Sequence, residues 1–432
     1  MSNGSTDLIA RLQSEHAAAA GGLPQTVPVE VRRQALEQLA AAGLPNNRDE
    51  NWRYANLRAL KSVRFAAPNT TAAVAPGDLP APLDGFQRFV FVDGLLAVGL
   101  SAPLDGAVRS SASASGADRD AAAGREARFA LLSDVFAVDG LVIGLDAASA
   151  RRQIEVLCVA TADGSEGSSY PRLAVQLAAG ARLQLVERHV SVGSAAAMVN
   201  SVADIQLAPG AVCDHVRVQQ LGARCTALDT LDARVAADAQ YRLHSIANGA
   251  AAARSTLQIR LEGQRARLEL TVGTVAAGNQ TLDTYAMVDH AATGATTREL
   301  FRGIAADRSR IGFNGKMIVR DNARGADSQQ MLKGLLAGSD AEINVRPQLE
   351  IYTDEVRAAH GATTGKLDEN MLFYLLSRGI EPEIAQSLLK WAFIEDALVG
   401  IQPEALRRSL ELQLARQFQD IAALDGLLGS HA

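Results

Sequence analysis

The segment Leu177-Ala-Ala-Gly-Ala-Arg-Leu183 is echoed by Leu207-Ala-Pro-Gly-Ala-Val-Cys213, and a degenerate copy follows at Ala236-Ala-Asp-Ala-Gln-Tyr241. Glu262-Gly-Gln-Arg-Ala-Arg-Leu268 is a looser fourth. Gly180, Gly210, Asp238 and Gly263 thus mark turns about 25 to 30 residues apart. Between them lie alternating runs such as Arg182-Leu-Gln-Leu-Val-Glu-Arg-His-Val190, Val216-Arg-Val-Gln219, Leu257-Gln-Ile-Arg-Leu261 and Arg267-Leu-Glu-Leu-Thr-Val272. Alternation with period two belongs to strands that bury one face. A strand–turn–strand unit repeated at this period cannot bury its apolar face alone, so its copies must stack. The expected fold is mainly β: a parallel β-helix, with a two-sheet sandwich as the competitor. Leu183, Leu185, Leu268 and Leu270 should face inward, and Arg182, Glu187 and Arg267 outward.

Outward from this core the texture turns helical at both ends. Ser5 and Asp7 are candidate caps for a first helix through Leu8, Ile9 and Leu12. A second begins near Pro28 and carries Val31, Ala35, Leu36 and Leu39 at helical spacing, with Gly43 and Pro45 to stop it. The cluster Glu50-Asn51-Trp52-Arg53-Tyr54 follows, its two aromatics suited to anchoring a small helical subdomain. Residues 105 to 127 are small, polar and repetitive, which reads as an exposed flexible loop. After a last strand, Leu349-Glu-Ile-Tyr352, three helices are expected. Asp368 caps the first, Pro382 opens the second and Pro403 the third. The chain therefore divides into an N-terminal helical region (1–85), a transition with the loop (86–149), the β-helix (150–352) and a C-terminal helical domain (353–432).

Composition narrows the function. A net charge of −6 disfavours a nucleic-acid carrier. No uncharged apolar run of about 18 residues offers a membrane span. The N-terminus has no basic stretch followed by an apolar one, so a cytoplasmic location is expected. Cys158, Cys213 and Cys225 are too few to hold an iron–sulfur cluster on four thiolates and have no zinc-type spacing.

Catalytic motifs are sparse. Gly361-Ala-Thr-Thr-Gly-Lys366-Leu367 falls one residue short of a phosphate loop and lacks the hydroxyl after its lysine, so ATP binding there is rejected. Asp321, Asp327, Asp340 and Glu342 are the carboxylates a carbohydrate-active β-helix enzyme would use, but their spacing is unhelpful. His189, His215 and His244 sit in strands, where a histidine is usually structural. His360 stands apart at an expected strand-to-helix transition, among small residues that let a partner backbone or an ion approach. Apolar residues cover more of the second C-terminal helix than one packing face needs, and Trp391, Phe393 and Ile394 are candidate anchors for a partner.

The stretch from Phe313 to Ala397 contains Phe313-Asn-Gly-Lys316, Ala326-Asp-Ser-Gln-Gln-Met-Leu332, Pro347-Gln-Leu-Glu-Ile-Tyr352, His360-Gly-Ala-Thr363, Leu372-Phe-Tyr-Leu375 and Ser377-Arg-Gly-Ile380. It resembles the SufB/SufD family of iron–sulfur cluster assembly proteins, and the Glu50–Tyr54 cluster with the histidine before Gly361 resembles the SufD-type subunit. The resemblance implies a right-handed β-helix between helical ends. It also implies an accessory, non-enzymatic scaffold role beside a SufB-type subunit and a SufC-type ATPase. No cofactor is expected to bind the chain tightly alone. Iron or a nascent cluster would be transient cargo, with His360 as a candidate ligand shared with the SufB-type subunit. Some SufD-type relatives carry a cysteine where this chain has Ala358. A homodimer and a reduced flavin on the assembled complex stay open. So do a SufB-like scaffold, a non-catalytic solenoid adaptor and the carbohydrate enzyme as alternative functions.

Overall fold

The computed structural model describes residues 3–24, 27–46, 48–67, 72–111, 126, 128–148, 151–161, 167–193 and 196–417. Strands alternate between two sheets as the chain advances. The first sheet stacks Arg152–Ala160, Arg182–Ser191, Val212–Gln220, Gln240–Ala247, Arg267–Ala276, Thr296–Ala305, Ala326–Leu336 and Val356–Gly365. The second stacks Leu141–Leu145, Arg172–Leu177, Met198–Leu207, Thr226–Val235, Ala252–Leu261, Thr281–His290, Arg310–Val319 and Glu342–Ile351. All these neighbours are parallel, for example Arg267↔Thr296 and Arg310↔Glu342. Parallel pairing between every second strand is what a stacked coil requires, so the fold is a parallel β-helix and the sandwich is excluded.

The core lies between the two sheets. Leu183, Leu185, Leu268 and Leu270 are fully buried there, together with Ile205, Leu231 and Phe301. Arg182 and Arg267 face solvent. Glu187 does not: it is 3% exposed, because a strand with 183 and 185 inward must also turn 187 inward.

The repeated turns fall where the sequence places them, with one shift. Left-handed backbone occurs at Gly180, Gly210 and Asp238, then at Arg265 rather than at Gly263. Gly263 is needed for a different reason, since a Cβ there would overlap the backbone of Ala236 and Ala237 in the coil below. The sheets also extend beyond the expected limits. Gln87–Val92 pairs with Arg152–Ala160 at the start, and the last strand runs from 356 to 365.

Helices α1 (Asn3–Ala19), α2 (Val29–Ala42) and α3 (Arg128–Phe136) build a separate cluster around Leu12, Leu39, Trp52, Phe65 and Phe136. Arg32 is buried within it and donates to the carbonyls of Val135 and Ala137 at 2.8 and 2.9 Å. The side chains of Ser5 and Asp7 lie outside the described residues, as do residues 112–125 and 127 of the expected loop.

At the other end α4 (Glu369–Ser377), α5 (Pro382–Glu395) and α6 (Glu404–Gln417) begin as the sequence indicates. The Asp368 carboxylate accepts from the Asn370 and Met371 amides. Helices α5 and α6 cover the outer face of the first sheet, where Trp391, Ile394, Leu406, Leu410 and Leu414 meet Val186, Val216, Ile246 and Ile304. Among the described residues no helix is long and apolar enough to cross a membrane.

Candidate functional site

The solenoid ends in an open coil. Glu342–Ile351 pairs only with Arg310–Val319, and Val356–Gly365 only with Ala326–Leu336, so each leaves one backbone edge unpaired among the described residues. His360 lies inside the final strand rather than at its junction with a helix. Its ring is exposed, and so are Ala358, Ala359, Gly361 and Ala362 around it. The neighbouring strand settles which way it faces. Ala362 is in register with Leu332, which belongs to the inner core, so His360, two residues earlier, shares that inner face. The imidazole therefore stands at the mouth of the lumen.

Beneath it the interior turns polar. In one row across three coils Glu299 is in register with Gln330, and Gln330 with His360. Glu299 and Gln330 are both 3% exposed. The Gln330 amide donates from Nε2 to Glu299 Oε2 at 2.7 Å and to the Gly315 carbonyl at 3.3 Å. Burial pushes the Glu299 carboxyl up to about 7, against the pull of the Gln330 bond. Glu299 Oε1, Gln330 Oε1 and Ser328 Oγ are buried without a partner.

A second polar cluster sits deeper in the lumen. Arg217 donates to Glu187 at 2.9 Å and also pairs with Asp229. His189 lies 2.7 Å from Glu187, and His215 lies 2.9 Å from the Tyr241 hydroxyl. Burial alone would raise the Glu187 carboxyl, but Arg217, His189 and His215 outweigh it and hold it well below the usual carboxylate range. Burial pushes the His215 imidazole down. Two histidines and a glutamate read separately in the sequence are thus one network.

Other expected sites are placed apart. Asp327 pairs with Arg298 at 2.8 Å and Glu342 with Arg310 at 3.3 Å, each on an adjacent coil, so no carboxylate pair forms between them. The phosphate-loop look-alike runs as extended strand to Gly365 and has no cradle. Among the described residues no group of three His, Cys, Asp or Glu is placed to hold a metal ion.

The Glu50–Tyr54 cluster is a clamp between the N-terminal cluster and the second sheet. The Arg254 guanidinium lies 4.2 Å over the Trp52 ring, donates to the Asn51 carbonyl at 2.7 Å and pairs with Asp283. Asn314 donates to the Asn51 side chain at 3.1 Å, and Arg346 pairs with Glu50.

Trp391 and Ile394 are 9% and 1% exposed, and Phe393 packs at the edge of their cluster. They serve the chain's own core, because α5 needs one apolar face for the sheet and another for α6. Of the three candidate anchors for a partner, Trp391 and Ile394 are thus buried and Phe393 is half-buried within this chain. A group of exposed apolar side chains sits on α4 instead, where Met371 is 59%, Phe373 72% and Tyr374 56% exposed.

Residues 159–393 match the family model described as SUF system FeS cluster assembly, SufBD core domain. The chain is 28% identical over 389 residues to the iron-sulfur cluster assembly protein SufD of Escherichia coli, covering 89% of this chain and 92% of the relative. It is 26% identical over 429 residues to an iron-sulfur cluster assembly SufBD family protein of Synechocystis, covering 94% of each. It is also 28% identical over 229 residues to the chloroplastic protein ABCI7 of Arabidopsis thaliana, covering 52% of this chain and 48% of the relative.

Proposed function

Because the chain belongs to the SufBD core domain family of the SUF iron–sulfur cluster assembly system, we propose that it is an accessory, non-enzymatic scaffold subunit of a cytoplasmic assembly complex. Its open coil pairs with a SufB-type subunit, and the two unpaired strand edges are the backbone groups such a partner would satisfy. The exposed apolar face of α4 docks a SufC-type ATPase. His360 lends an imidazole to iron or to the nascent cluster. Neutral imidazole is a borderline donor that suits transient holding, and the thiolates come from the partner.

The observation that carries this reading is the position of His360 on the inner face of the last, open strand, flanked by residues too small to obstruct a second chain. All three cysteines of this chain are buried elsewhere. Burial raises the Cys158 and Cys213 thiols, which suppresses the thiolate a metal would need.

The test is His360→Ala, co-expressed with the neighbouring operon products and purified as the complex. The expected result is an assembled complex with an unchanged melting temperature and a loss of iron and sulfide on reconstitution. Cluster yield equal to that of the unsubstituted chain, or falling only in step with stability, would leave a solenoid adaptor in place of this reading.

A further inference from the structure

The row that ends at His360 has a direction. Gln330 is held by its amide nitrogen, which is engaged on one side by Glu299 Oε2 at 2.7 Å and on the other by the Gly315 carbonyl at 3.3 Å. With Glu299 ionised, the amide cannot turn over without placing its oxygen against two acceptors, and the Gly315 carbonyl remains one in either state. Its oxygen, Gln330 Oε1, is therefore the end left free, and it is buried with no partner. A buried acceptor in that state costs about 1–3 kcal/mol unless something donates to it. The next residue in the row, in register and on the same face, is His360. Rows of parallel strands are spaced by about 4.8 Å, within reach of an amide and an imidazole leaning toward each other. Among the described residues the ring of His360 has no hydrogen-bond partner to set against this one.

Gly315 completes the arrangement. A Cβ at this position would press on Glu299 Oε1 and Gln330 Nε2 at 2.9 and 3.0 Å, so only glycine leaves the two side chains their present places.

We propose that Glu299, acting through Gln330, is a positioning residue for His360: the fixed amide offers its oxygen to one ring N–H, which sets the imidazole tautomer and turns the other nitrogen outward to iron. Histidines that bind metals commonly have such an acceptor behind them, and it fixes both tautomer and ring orientation. Burial lifts the Glu299 carboxyl to about 7, so near neutral pH the ionised form that accepts from the amide is still populated. The proposal deepens the reading of His360 as the iron-contacting group and rests on it.

The experiment uses the full-length chain with labelled histidine rings, and His360 is assigned by the signal lost in His360→Ala. Long-range proton–nitrogen spectra report which ring nitrogen carries the proton. The unsubstituted chain should show one preferred tautomer at His360. Gln330→Met removes the acceptor at similar volume, and Glu299→Gln frees the amide to turn. Both should abolish that preference while leaving the signals of His189 and His215, deep in the lumen, where they were. In the assembled complex each should also weaken ferrous-iron binding by about tenfold. An unchanged His360 tautomer in either variant overturns the proposal. A tautomer that responds in both, in a chain whose His360→Ala complex still loads iron normally, would uphold the row and overturn the iron role instead, so the two readings fail separately.

Discussion

Two buried glutamates on the first sheet, both turned into the same lumen, have opposite surroundings. Glu187 in the middle of the solenoid meets Arg217 in the next coil of its row, and the arginine is closed off in turn by Asp229. Among the described residues Glu299, near the open end, has only the Gln330 amide in the next coil as a hydrogen-bond partner. The first carboxylate stays ionised inside a network of charged partners. The second is pushed toward its neutral form and leaves unpartnered oxygens beneath the mouth. The contrast teaches that a polar lumen is not one feature. A closed network spends its hydrogen bonds within the fold, whereas an incomplete one at an open end has capacity left for something outside it.

Three tests press on that contrast. The largest effect should come from Arg217→Met, which leaves Glu187 buried and Asp229 half-buried without their cation. The expected cost is about 3–5 kcal/mol in chemical denaturation, partly recovered when Glu187→Gln is added. A loss within the range of a surface substitution would show that the middle network is not closed as described.

The next effect concerns pH and has opposite signs at the two glutamates. The Glu299 carboxyl titrates near 7 in the fold against 4.5 as the ordinary value. Between those two the folded chain keeps a proton that the unfolded chain has lost, so its contribution to stability falls as pH rises through that window. The full shift corresponds to about 3 kcal/mol. Glu187 is depressed instead, so its contribution is present above the ordinary carboxylate range and is lost as pH falls through its folded value. Denaturation midpoints at about pH 4 and about pH 8 should therefore show Glu299→Gln gaining on the unsubstituted chain at the higher pH. Equal pH profiles for the two proteins would mean that Glu299 is not buried as a lone acid.

The smallest effect on the fold should come from Phe373→Ser on α4, a ring 72% exposed that the chain's own core does not use. Stability should change by no more than about 0.5 kcal/mol. Capture of the ATPase subunit in pull-down should nevertheless drop. Full capture would move the docking surface off this helix.

Much of the scaffold could be read in the residues. The alternation in Arg182–Val190 and Arg267–Val272 announced strands, the spacing of Gly180, Gly210 and Asp238 announced coils, and Asp368, Pro382 and Pro403 announced three helices. Even the inward position of Glu187 was available, since the period that turns Leu183 and Leu185 inward turns 187 inward as well. The charge on Glu187 argued for solvent, and periodicity prevailed because Arg217 was there to meet it. His360 was legible as an unusual residue through its small neighbours, but its setting inside a final strand was not. That strand, Val356–Gly365, is rich in alanine, glycine and threonine and carries none of the alternation that marks the others, and among the described residues no further coil packs on it.

By itself, then, the sequence determined the elements and the kind of stacking they need, because period, turn residues and caps act over a few neighbouring positions. The tertiary structure alone decided which residues of different coils share a row. That depends on corner lengths accumulated over about thirty residues at a time, and it set Arg217 beside Glu187, Gln330 between Glu299 and His360, and Arg254 over Trp52. It also decided that Trp391 and Ile394 are core while Phe373 is surface. An apolar helix face is the same in sequence whether it meets a sheet of its own chain or is left for another, and only the packing of α5 against the solenoid tells the two apart.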